Sequence, residues 1–195
     1  MIRIIGFIAC GFLISGGNDI FAGVVDESTS FRGSSVQIAT RCHSADSRMS
    51  CGVFASRKDV EKRLFNFPNP PSHISMVSGV FIIEFPCGTQ CSATYFYSEQ
   101  KGLGGPFPFV EAYDLDRGVV LLSEKNPLPM YPIFSKASRI VGEAEVDLAN
   151  GADTFASIKK VVVDGHKFVI TYVDRRGEVV TIRYQVPLSK GVPAH

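Results

Sequence analysis

The run IKKVVVDGHKFVITYVDRRGEVVTIRYQV, residues 158–186, decides the fold class. It holds three segments rich in β-branched and aromatic residues: Ile158 to Val163, Lys167 to Val173 and Glu178 to Val186. Asp164-Gly165 and Asp174-Arg175-Arg176-Gly177 separate them. Asp-Gly is a strong hairpin signal, because glycine enters the left-handed region without a Cβ penalty. Phe168, Ile170 and Tyr172 share one face of the middle segment. Val180, Ile182, Tyr184 and Val186 share one face of the third, with Thr181, Arg183 and Gln185 on the other, solvated side. A period of two broken by short turns predicts a three-stranded antiparallel meander. Pro187 ends its last strand, and Gly191 to His195 reads as a loose tail.

Similar signals extend toward the N-terminus. Arg139 to Leu148 alternates, with Glu143, Glu145 and Asp147 on one side and Gly142, Ala144 and Val146 on the other. Phe109 to Tyr113 and Val119 to Leu122 flank a hairpin loop, Asp114-Leu115-Asp116-Arg117-Gly118. Val80-Phe81-Ile82-Ile83-Glu84-Phe85 is apolar enough for a central strand, with Ala93 to Tyr97 as its partner. Gly23 to Ser50 reads as short strands or loop, with Ser35 to Thr40 a strand. One short helix is expected near 57–65. Ser56-Arg57-Lys58-Asp59 has the form of a capping box, Val60, Leu64 and Phe65 follow at helical spacing, and Asn66 to Pro71 stops it. No βαβ alternation is present, which argues against a doubly wound parallel sheet. The expected fold is mainly β: antiparallel sheets as a sandwich, an open barrel or a propeller-like stack.

The first residues supply an address. Arg3 is a positive n-region, Ile4 to Ile14 an apolar h-region, and Ala22 a small residue at a cleavage position. Residues 1–22 are therefore expected to be a signal peptide, leaving 23–195 as a single mainly-β domain in the periplasm or secreted. The apolar stretch is too short, and too broken by Gly16, Gly17, Asn18 and Asp19, for a stable membrane span. Phe7-Ile8-Ala9-Cys10 loosely resembles a lipoprotein box; the alternative reading makes Cys10 an ordinary apolar residue of the signal. Lys plus Arg is 20 against 19 for Asp plus Glu, so no net field favours nucleic acid or an anionic membrane.

Cys42, Cys51, Cys87 and Cys91 lie beyond the signal. An even number in an exported chain reads as two disulfides, with three possible pairings. The local pairing, Cys42 with Cys51 and Cys87 with Cys91, is preferred because short loops close readily. Cys87-Gly88-Thr89-Gln90-Cys91 is not the Cys-x-x-Cys of redox sites, and no helix N-terminus follows to stabilise a thiolate. A zinc site using His43 beside the cysteines fits no standard spacing. The chain has no Gly-x-Ser-x-Gly elbow. None of His43, His73, His166 or His195 sits in a nucleophile motif, and His166 follows a turn where an exposed histidine is ordinary. The carboxylates Glu143, Glu145 and Asp147 alternate onto one solvated face, and Gly102-Leu103-Gly104-Gly105-Pro106 lacks the Lys-Ser/Thr of a P-loop. No catalytic residue, metal or cofactor is expected.

Two segments stand out as binding candidates. Gly102 to Pro106 reads as a flexible loop crowded by Tyr95, Phe96, Tyr97, Phe107, Phe109 and Tyr113. Its partner-binding candidates are Gly102, Leu103, Gly104, Phe107, Phe109 and Tyr97, since aromatics dominate interface hot spots. The proline-rich Asn126 to Pro132 is a second exposed-loop candidate, contributing Met130 and Tyr131, or else a stiff crossover between sheets.

The strand Val80 to Phe85 running into Cys87-Gly88-Thr89-x-Cys91, followed by a strand and the Asp116-Arg117-Gly118 hairpin, resembles a class of small exported bacterial proteins. The resemblance covers Val80 to Leu122, and the chain departs from it by the Gly102–Pro106 insertion. Some exported all-β proteins of this size are periplasmic immunity proteins against secreted antibacterial toxins. The resemblance implies a non-enzymatic periplasmic binding protein, an inhibitor that occludes a toxin or hydrolase. The alternatives are a small-molecule or lipid carrier with a β-barrel pocket, and a hydrolase whose groups meet only in the fold.

Overall fold

A computed structural model describes residues 25–45, 48–58, 60–88, 91–135, 139–149 and 151–188, with the side chains of Val25, Ala45 and Cys91 also outside the description. The expected signal peptide, Cys10 and the C-terminal tail lie outside the described residues.

The chain folds as four antiparallel sheets, each made of strands consecutive in sequence. The first is β1 (Val25–Ser30), β2 (Val36–Ala45), β3 (Arg48–Arg57) and β4 (Val60–Phe67). The second is β5 (His73–Val77), β6 (Val80–Gly88), β7 (Cys91–Ser98) and β8 (Gly102–Pro108). The third is β9 (Val110–Asp114), β10 (Val119–Leu122), β11 (Leu128–Pro132) and β12 (Gly142–Ala144). A one-turn helix, α1 (Thr154–Ser157), leads into the fourth: β13 (Ile158–Asp164), β14 (Lys167–Val173) and β15 (Val179–Gln185). The sheets are open, and none closes into a barrel.

Successive sheets pack face to face through three apolar clusters. Val36, Ile38 and Val53 of the first sheet meet Phe81, Ile83, Phe85 and Tyr95 of the second. The opposite face of the second sheet carries Val80, Ile82 and Phe96, which meet Val120 and Leu122 of the third sheet and Ile133 in the turn after β11. Val119, Leu121 and Met130 point the other way, onto Phe168, Ile170 and Tyr172 of the fourth. Residues 80–83 of β6 and the whole of β10 are thus buried on both faces, which is why they read as unbroken apolar runs. The outer sheets are buried on one face only and alternate: β14 has Phe168, Ile170 and Tyr172 buried, and β15 has Thr181, Arg183 and Gln185 exposed. The C-terminal meander has the expected turns and faces.

The helix expected near 57–65 is a correction. Arg57 pairs with Val60 across a tight turn in which Lys58 takes φ 52°, and the segment continues as β4. Phe65 stacks on Tyr95 at 3.8 Å between centroids, and Phe67 lies 4.4 Å from Phe85. Residues two apart can share a partner only on a strand, since a helix sends them to different sides. Burying both rings outweighs the helical spacing of Val60 and Leu64. The Gly102–Pro106 "loop" is a second correction, since it lies within strand β8, paired to β7. From the 139–148 alternation only Gly142–Ala144 pairs as a strand, though Ala144 and Val146 are buried and Glu143, Glu145 and Asp147 exposed, as the pattern expects.

Cys42 and Cys51 are directly opposite in the β2–β3 register and form a disulfide on the buried face of the first sheet. Cys87 is also disulfide-bonded. Bonded in this way, Cys42, Cys51 and Cys87 offer no thiolate to a metal ion. No helix among the described residues is long and apolar enough to cross a membrane.

Candidate functional site

The junction of the second and third sheets is built around missing side chains. A Cβ on Gly104 would lie 1.9 Å from the carbonyl oxygen of Ile133, so only glycine lets β8 approach the end of β11 this closely. Gly105 follows at φ +99°, where a Cβ would also meet the Thr94 carbonyl at 2.6 Å. The chain then enters Pro106, Phe107 and Pro108. Phe107 is half-buried, set edge-on to the fully buried Phe96 at 5.9 Å between centroids. Phe96 is in turn edge-on to Tyr113 at 5.2 Å.

Beside this junction an open groove of about 190 Å³ runs between the two sheets. One wall is Gly105 to Pro108. The other is Leu122 at the end of β10 and Glu124 beyond it, with Tyr131, Pro132 and Ser135. The Tyr131 hydroxyl donates to Glu124 Oε1 at 3.3 Å. Burial pushes the Tyr131 phenol above its ordinary value, and the negative charges of Glu124 and Glu143 add to the shift. The groove presents aromatic rings, rigid proline edges and the Glu124 carboxylate: a surface for contact.

The structure divides the residues singled out in the sequence. Phe107 and Tyr131, from separate segments, line this one groove. Gly104 is buried at the sheet junction, and Gly102 supplies the turn into β8 at φ 82°. Leu103 is 37% exposed and pairs with Tyr97 across β7–β8. Tyr97 is buried among the first two sheets and reaches a different hollow, lined also by Arg57, Lys58 and Glu99. Phe109 packs on Phe155 of α1 at 5.8 Å. Met130 is 1% exposed inside the third cluster, so the exposed-loop reading of its segment is corrected to a buried strand.

Two polar arrangements escaped the sequence reading. Asp114 closes β9 with its side chain 3% exposed, and its Oδ2 lies 2.8 Å from His166 Nδ1 in the β13–β14 turn. Its Oδ1 accepts from the Arg117 amide. With Asp116 these groups hold their donor atoms within 4.8 Å of one another, the described set that comes nearest to a cation site. The contact joins a turn of the third sheet to a turn of the fourth, across 52 residues of chain. No local signal announces such a pair. The second arrangement is Glu111 in β9, which accepts from the Ser123 hydroxyl at 2.6 Å. Burial pushes its carboxyl up, and the Ser123 hydrogen bond opposes the shift.

Comparison of the chain with protein-family models, with curated proteins and with solved structures finds no match.

Proposed function

We propose that this chain is a non-enzymatic binding protein working outside the cytoplasm, and that it occludes a protein partner, a toxin or hydrolase of the kind the sequence resemblance implies. The observation that carries the reading is the meeting of Phe107 and Tyr131 in one groove at a sheet junction. These residues come from the two segments that the sequence marks for contact. The disulfide between Cys42 and Cys51 supports an oxidising compartment. The groove itself, at about 190 Å³, is smaller than the roughly 300–1,000 Å³ usual for small-molecule pockets, and none of the sheets closes into the barrel that the carrier alternative needs. Occlusion is steric: the partner inserts a side chain into the groove, and the strands around it cover the partner's cleft.

The test is capture of partners by the oxidised protein from the periplasmic and secreted fraction of its source, read by mass spectrometry, beside a Phe107→Ala/Tyr131→Ala variant. One stoichiometric protein held by the wild type and lost by the variant supports the proposal. Equal capture by both, or a co-purifying small ligand alone, refutes it.

A further inference from the structure

We infer that the groove between Phe107 and Tyr131 receives an arginine side chain of the protein partner. The inference rests on the binding reading above and gives it a chemistry. Pro106, Pro108 and Pro132 stiffen the walls, so little conformational freedom is lost when the slot is filled. Its volume suits a single long side chain rather than a whole ligand.

The electrostatics decide which side chain. Glu124 lines the groove and holds the Tyr131 hydroxyl. Glu143 in β12 pairs with Pro129, two residues from Tyr131 on the same face of β11, and its charge is felt at the phenol. Both carboxylates are exposed, and neither makes an ion pair among the described residues. Among the described cations nearby, Lys101 sits over the Phe134 ring at 5.6 Å and Lys125 is exposed. An apolar occupant would strip water from Glu124 and return nothing for it. A cation answers the charge.

Arginine fits better than lysine. A guanidinium is flat and weakly hydrated, so it stacks on an aromatic ring while its edge pairs with a carboxylate through two parallel hydrogen bonds. An ammonium is a compact, strongly hydrated point charge that cannot do both. Arginine is also among the residues enriched at the energetic centres of interfaces.

The experiment is an NMR titration of the ¹⁵N-labelled oxidised protein. The probe is the blocked pentapeptide acetyl-Gly-Gly-Arg-Gly-Gly-amide, run beside versions with lysine, norleucine or glutamate at the centre. Expected are saturable shifts at the amides of Phe107, Leu122 and Tyr131 with the arginine peptide. They should weaken with salt and be at least about fivefold weaker with lysine. The Glu124→Gln/Glu143→Gln variant, both positions exposed, should keep its spectrum elsewhere and lose the preference. No saturable shift, shifts at other sites, or equal binding of the norleucine or glutamate peptide overturns the inference. Failure here with a partner still captured through Phe107 and Tyr131 leaves the binding reading standing. Arginine binding with no captured partner separates the two the other way.

Discussion

A hydrogen atom in place of a methyl group sets the distance between two sheets at Gly104. Substituting Gly104→Ala forces Ile133 and its strand outward, and should cost at least about 2 kcal/mol in urea unfolding. This is also where the sequence misleads. Gly102-Leu103-Gly104-Gly105 has the composition of a flexible loop, and nothing local reveals that the missing side chains serve a close approach. Two carboxylates should shape the pH dependence in opposite senses. Asp174, with its side chain 4% exposed, accepts from the Glu178 amide and the Arg176 amide, each at 2.9 Å, and Arg176 Nε adds a contact at 3.3 Å. The Glu178 hydrogen bond leads in holding its carboxyl below the ordinary value, against the desolvation that raises it. Its contribution is present above the unfolded value of about 3.9 and is lost as pH falls through the lower folded value. Glu111 is raised by burial, so stability present below its unfolded value of about 4.3 is lost as pH rises through the folded one. Thermal melts across this range should show Asp174→Asn weaker than wild type at neutral pH, with the gap closing in acid. Glu111→Gln should gain on wild type as pH rises from about 4 to 7. A constant gap in either series would refute the assignment for that residue.

At the scale of elements, the β2–β3 hairpin carries a covalent tie on its buried face. Cys42 and Cys51 are nine residues apart, and closing so short a loop in the unfolded chain accounts for about 2–3 kcal/mol. A Cys42→Ala/Cys51→Ala variant should lose that much in chemical denaturation while keeping its β spectrum. The turn-to-turn contact of Asp114 with His166 offers a second test. His166→Ala leaves a buried carboxylate oxygen without its side-chain partner and should cost about 1–3 kcal/mol; an unchanged melt would mean that the pair contributes nothing. Element identity was legible where a single period held. The three C-terminal strands have clean alternation and short turns. Residues 60–67 offered two periods at once, and the choice between them lay with Phe85 and Tyr95 on another sheet. Helix α1, four residues capped by Asp153, is too short for any period to show.

For the whole molecule, burial on both faces distinguishes the middle sheets from the outer ones. Amides of β6, β7 and β10 should exchange with deuterium slowest, and those of the edge strands β1 and β15 fastest. Uniform protection across all four sheets would contradict independent opening of the outer ones. The all-β class and the option of a stack of sheets were readable from strand-turn-strand signals. The stacking order was not, because an apolar run shows that both its faces are covered without showing by what. The groove was half legible: Phe107 and Tyr131 each stood out, and only the junction of two sheets brings them together. The agreement between chain order and stacking order has a consequence for how the protein is made. A polypeptide emerging from its N-terminus completes the first pair of sheets, with their shared core, once residue 108 is free. Each later meander then finds its packing surface already assembled and exposed beside it. The growing chain is its own template, and the apolar face of Val80, Ile82 and Phe96 stays uncovered only for the time taken to deliver the next strands.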